Sequence, residues 1–171
     1  MRKYVIVIAL VIAMYLNSIL FNFIPLPGLR ADMIMAVIVS LGILTGTAPA
    51  AALGVITGIF MDIMFNRFVG LSSLGYVFGA VAGGVFFNKF YADNFVIPPA
   101  AAAVAVFAKE HIMLFVSLAY KHNITNYGLL LLTHILPKAL LTAGFCALIH
   151  LIFKKTLYRP LWHKDIDNRP G

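Results

Sequence analysis

The sequence predicts an all-α integral membrane protein built as a six-helix transmembrane bundle. Two observations carry that prediction. Of the 171 residues, 62% are hydrophobic and only 11% charged, whereas a soluble domain is nearer half apolar and a quarter charged. The apolar residues also fall in runs of membrane-crossing length, separated by short segments that hold many of the Pro, Asn and basic residues. The longest polar piece, the basic tail 154–171, is too short to bury a core of its own. A net charge of +7 does not point to nucleic acid, because the basic residues sit mainly at chain ends and between apolar runs, where they set orientation. The single cysteine, Cys146, lies in an apolar run and excludes an internal disulfide and a Cys-based zinc site; its expected role is small apolar packing.

The first helix is expected over 4–23, where the apolar run is longer than a signal-peptide core and lacks an A-x-A cleavage site. Pro25, Pro27 and Gly28 end it, and Arg30 and Asp32 mark a membrane surface. Residues 33–65 would make one helix of roughly 50 Å, too long for a hydrocarbon core of about 30 Å. The TGTAP segment, 45–49, is the natural break, giving helices over 32–44 and 48–65. The first of these is short enough to be re-entrant. Asn66, Arg67 and Gly70 turn the chain into a fourth helix, 71–87. A polar loop, 88–94, leads to a fifth, 96–120, with Pro98 and Pro99 in its first turn. The sixth, 127–153, carries Pro137 in its interior, where a proline removes a backbone hydrogen bond and kinks the helix. In the tail, Tyr158 and Trp162 suit the headgroup level.

Six spans put both ends on one side. The ends and the loop at Lys89 carry eight Lys and Arg residues and the opposite side three (Arg30, Arg67 and Lys121), so both termini are expected in the cytoplasm.

Two glycine ladders stand at the centre of the chain. Gly54, Gly58 and Asp62 recur every four residues, and so do Gly75, Gly79 and Gly83. Residues four apart share a helical face, and small residues there let two backbones approach closely in lipid. Gly79 is expected at such a seam, with Ala80 turned about 100° away from it. Four ionisable residues fall within apolar runs: Asp62, Lys109, Glu110 and Lys138. Intramembrane charges are costly and seek partners. Counting from the helix ends places Glu110 and Lys138 at matched depth, about 15 Å below the outer surface, as a structural pair. Lys109 and His134 join them in one polar cluster, His134 sharing a face with Lys138. Asp62, only about 6 Å deep, is expected to meet Arg67, His134 or water. His111, His122 and His150 do not join the cluster by spacing. There is no HExxH, Walker loop or G-x-S-x-G elbow, and no residue set argues for an enzyme.

The stretch GVITGIFMDIMFNRFVGLSSLGYVFGAVAGG resembles the central signature of the rod shape-determining MreD family. The residues that carry the resemblance are Gly54, Gly58, Asp62, Val69, Gly70, Leu71, Ser72, Leu74, Tyr76, Gly79 and Gly83; chain size, helix number and basic tail also fit. The resemblance implies a non-enzymatic subunit of the bacterial elongation complex in the inner membrane. Such a subunit binds MreC, works with MreB and with the RodA–transpeptidase synthase, and helps control peptidoglycan synthesis and rod shape. It further implies a fold similar to substrate-binding subunits of energy-coupling-factor transporters, and hence an alternative, a small-solute-binding subunit of such an importer. No cofactor is implied.

Overall fold

The computed structural model describes residues 2–20, 31–65, 69–87, 95–121 and 127–155. The expected stop at Pro25 to Gly28, the side chains of Arg30 and Arg67, the polar loop 88–94, the turn 122–126 and the tail aromatics Tyr158 and Trp162 lie outside these residues. Within them the chain is helical and contains no strand. Six helices follow one another. α1 is Arg2–Tyr15, prolonged by a π-helical stretch, Leu16–Leu20. α2 is Met33–Thr45, α3 Thr47–Phe65, α4 Leu71–Gly84 and α5 Ile97–Lys121. α6 comprises Tyr127–Leu130, a π-helical turn Leu131–Ile135, and Leu136–Phe153.

Thr47–Phe65, Ile97–Val116 and Leu131–Phe153 are long and apolar enough to cross a membrane; Tyr4–Ser18, Met33–Thr45 and Leu71–Gly84 are shorter apolar helices. The expected span 71–87 is cut back, because Val85 to Phe87 leave the helix as a turn.

The shortest of the main helices is the centre of the molecule. α2 packs against α1, α3, α4, α5 and α6, and every side chain from Met33 to Ile43 is buried. A helix that is apolar all round belongs in a core, which explains why MIMAVIVSLGIL has no polar face. Its 13 residues rise only about 20 Å. The expected break over 45–49 contracts to one residue. Gly46 takes φ +94°, a left-handed conformation suited to glycine, and returns its N–H to Gly42 O at 3.0 Å. Pro49 then falls in the first turn of α3, where a missing N–H is tolerated. In α6 the strain of Pro137 is taken up by the π turn just before it, one of the usual causes of a helix kink.

Candidate functional site

The first glycine ladder faces α4. A Cβ on Gly54 would stand 3.2 Å from Tyr76 Cβ, and one on Gly58 would stand 2.6 Å from Ser73 N. A Cβ would be tight at Gly54 and would clash with backbone at Gly58, so α3 and α4 pack closely there, and Ser73 Oγ donates to Val55 O at 3.2 Å across the seam. The second ladder serves two neighbours. A Cβ on Gly79 would strike Met35 Sδ and one on Gly83 Val39 O, both on α2, whereas Gly75 lies against the stem of Lys109 on α5. Gly79 thus lies at a seam as expected, but Ala80 beside it does not face outward. Ala80 is also wholly buried, and its carbonyl lies 2.8 Å from where a Cβ on Gly42 would stand. α4 packs between α2, α3 and α5, so its buried surface is wider than one stripe.

Asp62 departs from expectation. It is fully buried, not solvated near a surface. Its Oδ2 accepts from Gly70 N at 2.8 Å and Ser72 N at 3.0 Å, at the N-terminus of α4, where backbone N–H groups lack helical partners and favour an anion. Gly70 makes the turn with φ +103°, and Leu71 opens the helix half-buried. The Asp62 carboxylate thus fastens the end of α3 to the first turn of α4. His134, the other expected partner, is exposed and bonds Thr133 Oγ1 through Nδ1 at 2.8 Å.

The densest polar site is one the sequence reading did not assemble. Asp32, expected to mark a membrane surface, is buried at the N-cap of α2. Its Oδ1 accepts from Met35 N at 3.0 Å, from Tyr76 OH at 3.4 Å and, at the long limit of 3.5 Å, from Asn17 Nδ2. Lys109 Nζ donates to Oδ2 at 2.5 Å and stands 4.0 Å from the Tyr76 ring centroid, in cation–π range. The backbone of the same turn is bound too: Asp32 N donates to Thr142 Oγ1 at 2.8 Å and Met33 N to Asn17 Oδ1 at 3.1 Å. Asn17, Asp32, Tyr76, Lys109 and Thr142 come from five elements, so this junction ties together every helix but α3. Gly75 belongs to it by omission: a Cβ there would meet Lys109 Cγ at 2.5 Å.

Lys109 is therefore parted from Glu110, its neighbour in sequence. Lys138 Nζ lies 2.6 Å from Glu110 Oε1, the pairing expected from matched depth. These two side chains keep 26% and 22% of their surface exposed, against 8% and 3% for Lys109 and Asp32. Of the expected four-residue cluster, Glu110 and Lys138 come together, Lys109 turns to Asp32, and His134 stands apart. A further link is the buried His150, whose Nδ1 lies 3.1 Å from Ser40 Oγ, joining α6 to α2. Cys146 is buried, its Sγ 3.4 Å from Pro98 O and 3.6 Å from Ala36 O.

Chemically, the junction is a tether. The Asp32 carboxylate is occupied by a cation, a hydroxyl and backbone and side-chain N–H groups, the condition under which a buried charge is tolerated. Among the described residues no group of three or more His, Cys, Asp or Glu side chains is placed to hold a metal ion. No protein-family model, curated protein or solved structure matches this chain.

Proposed function

We propose that this chain is a non-enzymatic membrane subunit of the bacterial elongation machinery, of the MreD type. It binds MreC and, through that complex, works with MreB and the RodA–transpeptidase synthase to control peptidoglycan synthesis and rod shape. In this reading the chain sits in the inner membrane with both termini in the cytoplasm. The observation that carries the reading is the use made of the resembling residues. Gly54, Gly58, Asp62, Gly70, Ser72, Tyr76, Gly79 and Gly83 set the packing of α3, α4 and α2 or hold the turn between them. They build a close-packed helical platform, as a scaffold requires. The Asp32–Lys109 junction supports the same reading, because its polar groups bind one another and hold the helices in register.

Co-purification from native membranes, with identification of bound proteins and small molecules, tests the proposal. Recovery of MreC without a stoichiometric small ligand is the expected result. Recovery of a vitamin together with an ATPase module would establish the importer alternative. Cysteine labelling at position 165 of spheroplasts tests the orientation: strong labelling from outside would refute two cytoplasmic ends.

A further inference from the structure

α5 and α6 each contain a stretch long and apolar enough to cross a membrane, Ile97–Val116 and Leu131–Phe153. Their outward side chains are mostly what lipid requires: Val104, Phe107 and Phe115 on α5, and Leu132, Leu136 and Leu140 on α6, are exposed. One level breaks that pattern. Glu110 lies eleven residues before the end of α5 at Lys121, and Lys138 eleven after the start of α6 at Tyr127, so both stand about 15 Å from those ends. That is near the middle of a hydrocarbon core of about 30 Å. Their ion pair joins the two helices, yet it leaves 22% of the Glu110 side chain and 26% of the Lys138 side chain uncovered. One turn before Lys138, His134 and Thr133 are exposed. His111, next to Glu110, is half-buried, its ring 4.1 Å from that of Phe107.

Charged groups at this depth are costly unless protein covers them. A lysine can raise its ammonium along its stem, but the shorter Glu110 stem keeps its carboxylate at depth. Among the described residues the pair engages one carboxylate oxygen and one ammonium N–H, so an acceptor and further donors remain at the open edge. We propose that this edge of α5 and α6 is an interface between two copies of the chain, related by a two-fold axis along the membrane normal. Charge complementarity selects that occupant. What one copy donates across a two-fold interface, the same patch on the other must accept. The strip carries one carboxylate and one ammonium, and each neutral imidazole offers a donor and an acceptor, so it complements itself. Depth selects the same occupant, because copies inserted in one orientation bring Glu110, His134 and Lys138 to one level without adjustment. Glu110 of each copy then takes Lys138 of the other as a second partner, a polar contact of the kind that joins helices in lipid. This dimer goes beyond the proposed scaffold role and does not rest on it.

Förster transfer between donor-labelled and acceptor-labelled copies of the full-length chain in liposomes tests it. The dye is attached through Ile63→Cys, an exposed position on α3, whose main neighbours are α2 and α4, with Cys146 replaced by Ala. The expected result is transfer that falls as added lipid dilutes the protein. Glu110→Lys or Lys138→Glu alone should weaken the association about tenfold. Mixing these two variants should restore it, because each supplies the charge that the other lacks. His134→Leu spares the ion pair, so it reports on the interface even where a charge variant fails to fold; it should weaken association about threefold. Absence of transfer for the charge-intact chain at every dilution would overturn the dimer, whether lipid or a helix of another protein covers the strip. Transfer unchanged by His134→Leu and by the charge variants that fold would place the interface elsewhere and overturn it equally. So would a mixture of folded charge variants that associates no better than either alone.

Discussion

Lys109 and Glu110 are neighbours on α5, yet their ion pairs lie in different surroundings. Lys109 reaches Asp32 inside the bundle, with both side chains under a tenth exposed; Glu110 reaches Lys138 at its rim, with about a quarter of each side chain uncovered. Their heights along the helix differ by about 1.5 Å, but they point about 100° apart. The turn about the axis, more than depth, decides which charge enters the core. A fully buried pair that loses one partner strands a charge, whereas a less enclosed lysine at the rim can turn its stem toward a more polar level. The difference also sorts roles, the inner pair joining α2 to α5 inside the bundle and the outer one joining α5 to α6 at its rim.

The largest effect should come from breaking the inner pair. Lys109→Met leaves Asp32 buried without its cation, a loss of about 3–5 kcal/mol, read as a steep fall in folded yield and thermal stability in detergent. Adding Asp32→Asn should recover part of that loss. Asp62→Ala sharpens the comparison, since Asp62 is equally buried but is held by backbone N–H groups. Losing that acceptor should cost about 1–3 kcal/mol, with early loss of protection in the first turn of α4 by hydrogen exchange. Gly75→Ala touches the inner pair indirectly. Its methyl group would crowd the Lys109 stem, an overpacking cost of about 1–3 kcal/mol, and the outer pair should be unaffected. The smallest effect should be that of Glu110→Gln, whose partner Lys138 is less enclosed than Asp32 and can turn its stem toward a more polar level, read as a smaller fall in folded yield than that of Lys109→Met.

Much of this architecture is legible in the sequence. The alternation of apolar runs with Pro, Gly and Asn places the six helices within a few residues. The four-residue glycine spacing points to close packing because only small side chains permit it. Glu110 and Lys138 could be matched from helix ends alone. The inner junction was hidden by charge arithmetic. Asp62, Lys109, Glu110 and Lys138 sum to zero, so no partner looked to be missing. Only once Asp62 is taken by the N–H groups of Gly70 and Ser72 does Lys109 need another acid. Asp32 itself had a signal, since an Asp directly before an apolar helix is a favoured N-cap; its position beside Arg30 suggested a surface instead. That the short α2 lies at the centre follows from its lack of a polar face, a property that a buried helix and a membrane helix share.

The central claim is that the Asp32–Lys109 pair, and not Glu110–Lys138, holds the bundle together. Two double-mutant cycles under identical detergent conditions test it most directly: Asp32→Asn with Lys109→Met, and Glu110→Gln with Lys138→Met, each read by thermal unfolding of the purified chain. The expected result is a coupling energy several times larger for the inner pair, with partial recovery in the inner double variant. Equal coupling in the two cycles, or a larger value for the rim pair, would contradict the account.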